Sequence, residues 1–100
     1  MKTIYLYLDD ERKPTYKGEN LVICKDYHSA IASVKALVTD DVTEFVVDLD
    51  HDLGGKKTGY DFCKWLIEKG YIGFFHIHSA NVVGRFNMRQ LLTRYGWVEI

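Results

Sequence analysis

EFVVDLDHDLGGKKTGYDF, residues 44–62, holds a strand, a polar turn and a helix start in one stretch, and that order decides the fold class. Glu44 to Leu49 is an apolar, β-branched run that reads as a strand and stops on Asp50, His51 and Asp52. The glycine-rich turn Gly54-Gly55-Lys56-Lys57 follows, and Thr58 is an N-cap. Phe62, Cys63, Leu66 and Ile67 then fall on one face of a helix closed by Gly70. A strand too apolar to leave both faces wet, leading through a polar loop into an amphipathic helix, is the repeating unit of a parallel α/β sheet.

The same unit recurs on either side. Upstream, Thr3 to Leu8 (TIYLYL) is a strand ended by Asp9 and Asp10, and Leu21 to Cys24 is a second, shorter one. After Asp26 as N-cap, Tyr27, Ala30, Ile31, Val34, Leu37 and Val38 share a helix face that stops at Thr39-Asp40-Asp41. Downstream, Gly73 to Ile77 is a strand running into His78-Ser79-Ala80-Asn81. Asn81 caps a last helix whose stripe is Gly84, Met88, Leu91, Leu92 and Tyr95, with Gly96 as its stop, and Trp97 to Ile100 leaves room for a short final strand. Glu11 to Asn20 contains Pro14 and Gly18 and no apolar stripe, so it reads as a loop. The order is β, β, α, β, α, β, α, β.

The chain has 100 residues, 47% of them apolar and 14% aromatic, which supports one core and predicts a single domain over residues 1–100. Thirteen basic and 14 acidic side chains leave a net charge of −1, so no whole-molecule field for nucleic acid or anionic lipid exists. No apolar stretch approaches the roughly 20 residues of a membrane helix, and Met1-Lys2-Thr3 leads straight into a strand pattern, so a cytoplasmic protein without membrane partners is expected. Cys24 and Cys63 lack CxxC or CxxH spacing and read as reduced core thiols.

In open parallel sheets ligands bind beyond the carboxyl ends of the strands. Three clusters fall there: Asp9 and Asp10, then Asp50, His51 and Asp52, then His78, Ser79 and Asn81. Asp is a common turn residue, so one cluster alone means little, but three converging on one rim predict a site. The carboxylates of Asp9, Asp10, Asp50 and, as a fourth, Asp52 suit Mg²⁺ or Mn²⁺, and an anionic phosphate could approach them only with such a cation between. Arg12 offers a planar fork to a phosphate oxygen, or else pairs with Glu11 or Asp10. Asp50 is counted with His51 and His78 as a catalytic candidate. His51 and His78 titrate nearest neutrality and would relay protons, one activating water and the other protonating a leaving oxygen; the alternative is that they orient the acids beside them. Ser79 and Asn81 would orient phosphate, unless Asn81 serves only as a cap. His28 reads as a surface residue, His76 as an ordinary strand histidine, and Lys56 and Lys57 as a solvated loop.

These motifs carry a resemblance. Asp9-Asp10 after the first strand, an acid after the third and a hydroxyl after the fourth resemble bacterial response-regulator receivers. More closely, Leu8-Asp9-Asp10-Glu11-Arg12-Lys13-Pro14, Leu49-Asp50-His51-Asp52-Leu53-Gly54 with Thr58-Gly59-Tyr60-Asp61, and His78-Ser79-Ala80-Asn81 with Asn87-Met88 resemble the cyclic-phosphate processing receiver-like domains over nearly the whole chain. The resemblance implies a receiver or flavodoxin-like parallel sheet of order 2-1-3-4-5. The chain departs from receivers in its helices: about three lie mainly on one face, and the first and last receiver helices are missing, since Glu11 to Asn20 reads as a loop and the chain ends on the fifth strand. The resemblance also implies action on a cyclic phosphate, either an RNA 2′,3′-cyclic phosphate end or a small cyclic nucleotide. Phosphoacceptor receivers carry a lysine at the end of the fifth strand, where this chain reads Trp97-Val98-Glu99-Ile100. A metal-dependent phosphoesterase is therefore the leading reading, ahead of a non-catalytic phosphate or nucleotide binder and of a stand-alone phosphoacceptor. The small size also fits a phage or mobile-element protein.

Right-handed crossovers place all three helices on one side of the sheet. With no helix after the first or last strand, the other face should stay open. Alternation assigns Tyr5, Tyr7, Asp48, His76 and Trp97 to that face, and Ile4, Leu6, Leu8, Val47, Ile77 and Val98 to the covered one. The expectation is a two-fold homodimer through Tyr5, Tyr7, His76 and Trp97, or an extension of the ligand site, the alternative being cover by the loop Glu11 to Asn20.

Overall fold

β1 (Lys2–Leu8), β2 (Leu21–Cys24), β3 (Val42–Leu49), β4 (Phe74–Ile77) and β5 (Val98–Glu99) pair in parallel in the order β2-β1-β3-β4-β5. The helices are α1 (Tyr27–Leu37), α2 (Gly59–Glu68) and α3 (Val82–Arg94). These come from a computed structural model that describes residues 2–18, 20–40 and 42–100. Met1 in the lead to the first strand, Glu19 in the long loop and Asp41 in the expected stop of α1 lie outside the described residues. The fold is a receiver-like α/β fold, and no described helix is long and apolar enough to cross a membrane.

Alternation along β1, β3 and β4 builds the core. Leu6, Val47 and Phe75 form one row of register partners and Leu8, Leu49 and Ile77 the next, all buried. Ala30 and Val34 of α1, Phe62, Cys63 and Leu66 of α2, and Met88 and Leu92 of α3 close over them. Two helix starts are fixed by reciprocal capping boxes, Asp26 with Ser29 and Thr58 with Asp61, and the third by Asn81, whose side chain accepts from Gly84 N. Trp65 is buried although it stands outside the expected stripe of α2, whereas Tyr95 at the end of the α3 stripe is exposed.

The central ladder continues one residue past the strands. Asp9 N donates to Cys24 O (3.1 Å), Asp50 N to Leu8 O (2.9 Å) and His78 N to Leu49 O (3.0 Å). The last two bonds hold the ends of β1, β3 and β4 level and the first ties β2 to them, so the residues after these strands share one rim.

Two expectations for the uncovered face are corrected. Pairing of Phe74 with Val98 turns Val98 and Ile100 to that side and Trp97 and Glu99 to the helix side. Trp97 is only 2% exposed, packs near Phe45 and donates from Nε1 to Tyr71 O at 3.1 Å, while Val98 is 53% exposed. Glu99 meets Arg89 of α3 through bonds of 2.9–3.0 Å. Tyr7, expected in the open, is buried: Tyr16 of the long loop lies edge-on to Tyr5 and Tyr7 at centroid distances of 5.4 and 6.4 Å. The loop thus hides part of the face.

Candidate functional site

Asp9 is 2% exposed at the end of β1, and its carboxylate organises the turn that follows. Oδ1 accepts from the backbone N–H of Glu11 and of Arg12, each at 2.9 Å, and Oδ2 accepts from Arg12 Nε at 3.0 Å and meets His78 Nε2 at 2.9 Å. Burial works against its ionised form, but these donors outweigh it and hold its carboxyl below the usual carboxylate range. Arg12 also reaches Asp50 Oδ2 at 3.4 Å, so it bridges Asp9 and Asp50 rather than pairing with Glu11 or Asp10.

Asp9, Asp10 and Asp50 each place one carboxylate oxygen within 4.8 Å of the others. Asp50 is buried, and its Oδ1 accepts from the N–H of His51 at 2.8 Å. Asp52 contributes no oxygen to that trio; it is exposed, bonded to His51 Nδ1 (2.9 Å) and to Asn81 Nδ2 (3.2 Å), and these two partners lower its pKa. It nevertheless borders the same depression, about 300 Å³, with Asp10, Glu11, Arg12, Asp50, Gly54 and Ala80.

The two histidines are not brought together. His51 is half-buried against α3, where a Cβ at Gly84 would collide with its ring, and a Cβ at Gly59 of α2 would collide with Asp50 O. Two glycines at helix starts therefore let the Asp50-His51 turn lie tight between α2 and α3. His78 lies on the other side of the sheet, stacked on Tyr7 at 4.7 Å with the rings 2° from parallel. Its Nδ1 meets Asp48 Oδ1 at 2.6 Å and its Nε2 meets Asp9. Ionised carboxylates only accept hydrogen bonds, so both ring nitrogens carry protons. Burial alone would lower the His78 pKa, but hydrogen bonds and charge from Asp48 and Asp9 outweigh it and raise it, favouring the protonated ring.

Ser79 and Asn81 hold the start of α3. Ser79 Oγ accepts from Asn81 N at 3.1 Å, and Asn81 Oδ1 accepts from Gly84 N at 2.8 Å. Asn81 is thus a cap whose amide also steadies Asp52.

Two participants were not among the expected site residues. Asp48, buried in β3, stays ionised against the cost of burial because His78 and Tyr16 bond to it. Tyr16 closes that chain, donating its hydroxyl to Asp48 Oδ2 at 2.7 Å. The signal for Asp48 was a charge inside an apolar strand; Tyr16, in an aperiodic loop, offered none.

The model of the cyclic-phosphate processing receiver domain matches residues 4–94. The chain belongs to that family. No curated protein and no solved structure matches the chain. The matched span of this cyclic-phosphate processing receiver includes every strand-end residue of the site, together with the loop that carries Arg12 and Tyr16.

Proposed function

We propose that this receiver binds a cyclic phosphodiester at the ends of β1, β3 and β4 and, with a divalent cation, opens it by hydrolysis. The observation that carries the reading is the convergence of Asp9, Asp10 and Asp50 oxygens within 4.8 Å, with Arg12 against two of them. Carboxylates so close repel one another unless positive charge is shared among them. Their all-oxygen donor set fits Mg²⁺ or Mn²⁺, and Asp9, Asp10 and Asp50 would hold it. Once bound, that cation supplies the charge that lets a phosphate approach the acids and polarises its oxygens.

The residues divide the remaining work. Arg12, half-exposed at the rim, offers the guanidinium N–H groups not turned to Asp9 and Asp50 to a phosphate oxygen. Water adds to phosphorus and one ester P–O bond breaks; His51 takes the water's proton and the His78 imidazolium gives one to the leaving ribose oxygen. Ser79 and Asn81 keep the start of α3, and through it Asp52 and His51, in place. An RNA 2′,3′-cyclic phosphate end and a free cyclic nucleotide present the same group.

One observation favours a second reading, a module that holds its ligand without turning it over: neither histidine borders the acidic depression, and both nitrogens of His78 are held by carboxylates. Incubation of the chain with 2′,3′- and 3′,5′-cyclic nucleotides plus Mg²⁺ or Mn²⁺, followed by chromatography, separates the two. The proposal expects a ring-opened monophosphate, with turnover reduced about 100-fold or more in His78→Ala. Tight binding with no product selects the second reading.

A further inference from the structure

Beside the acidic depression, on the uncovered face of the sheet, lies a larger hollow of about 790 Å³. Tyr5, Tyr16 and His76 line it with ring surfaces, Pro14 and Ile100 stand at its walls, and Arg12 borders both this hollow and the depression. His78 joins them from below, since its ring lines the hollow while its Nε2 touches Asp9.

We propose that this hollow receives the nucleoside portion of the phosphoester, so that the domain reads a base-bearing phosphate rather than a phosphate alone. The inference rests on the phosphate reading above and extends it. Arg12 borders both cavities, so a base tethered to a phosphate held there has the hollow and its tyrosines beside it. The volume is that of a small-ligand pocket, and the lining combines π-faces with a few charged groups, as base recognition requires. Tyr7 and His78 already stack face to face in its floor. The Tyr16 hydroxyl on Asp48 latches the loop that forms one wall, so the hollow is preformed. Continuity with the phosphate site through Arg12 distinguishes this occupant from a second copy of the chain.

The test is a two-dimensional amide NMR titration of the full chain with Mg²⁺ present. Adenosine and cytidine 2′,3′-cyclic phosphates are compared with glycerol 1,2-cyclic phosphate, which carries the ring but no base. The proposal expects the nucleotides to bind about tenfold or more tightly, the increment that stacking one base supplies, and to shift Tyr5, Tyr16, His76 and Ile100 as well as the strand-end residues. His76→Ala, a change at an exposed strand position, and Tyr5→Ala should erase most of that preference while leaving glycerol cyclic phosphate affinity unchanged. Equal affinity for all three ligands, with shifts confined to Asp9, Asp50 and Ser79, overturns this inference and leaves the phosphate reading standing. Shifts at the hollow from the nucleotides with no response to glycerol cyclic phosphate support the hollow and count against the phosphate reading. Absence of any shift overturns both. Shifts of the hollow residues on raising protein concentration, unaffected by ligand, assign the face to a second copy and overturn the proposal.

Discussion

Asp50 sits where three demands meet: its backbone N–H extends the ladder to β1, one carboxylate oxygen takes the N–H of His51, and the other faces Arg12. Removing its charge without changing its shape isolates the electrostatic part of the site. Mg²⁺ or Mn²⁺ should raise the melting temperature of the wild type by linkage, and Asp50→Asn should remove most of that rise. A rise of equal size in the variant, followed by thermal denaturation with and without metal, rejects Asp50 as a ligand. Much of this site was legible at the residue level, because acids placed after apolar strands stand out whatever their rotamers. Their pairing was not legible. That Arg12 bridges Asp9 and Asp50, and that His78 lies between Asp48 and Asp9, depends on side-chain directions set by the tertiary fold.

The elements followed from periodicity wherever a strand or helix was long enough to repeat. β1 and β3 keep the facing that a period of two assigns, although Tyr7 and Asp48 on the open side are also buried, and all three helices begin at the expected caps. β5 failed this test because two residues carry no period; its facing is set by the pairing of Phe74 with Val98 after the turn at Gly96. The corrected facing predicts that Trp97→Ala costs about 3–5 kcal/mol, as for a large buried aromatic, by urea unfolding; a loss under about 1 kcal/mol would return Trp97 to the open face. The cap of α2 makes a second prediction. Hydrogen bonds from Thr58, its backbone N–H above all, hold Asp61 below the ordinary carboxylate range against a smaller penalty from burial. A depressed carboxylate contributes stability above its unfolded pKa and loses it as the pH falls through the folded value. Asp61→Ala should therefore lower the melting temperature at pH 7 and narrow its gap to the wild type below about pH 4. A gap independent of pH would contradict an ionised cap.

At the scale of the whole molecule, right-handed crossovers explain why α1, α2 and α3 share one side of the sheet, and they leave the other side to the loop and the hollow beside it. Cover by the loop was the alternative the sequence left open; that Tyr16 is the residue that provides it could not be read, because one aromatic in an aperiodic segment gives no direction. With Tyr7 beneath Tyr16 and Trp97 among the helices, two of the four residues expected at a two-fold contact are withdrawn. The ligand-free chain should accordingly scatter light as a monomer, and Tyr7→Lys should destabilise it without altering that mass. A dimer dissociated by Tyr7→Lys would restore the self-association surface.

The central claim is that level strand ends gather Asp9, Asp10 and Asp50 into a cation-dependent site that opens a cyclic phosphate. Phosphorus NMR of a nucleoside 2′,3′-cyclic phosphate, recorded over time with the chain and Mg²⁺ or Mn²⁺, tests it most directly. The account predicts that the cyclic signal gives way to that of a monoester, that EDTA stops the conversion, and that Asp50→Asn does not catalyse it. An unchanged cyclic signal with the metal present, or equal conversion in the presence of EDTA, would contradict it.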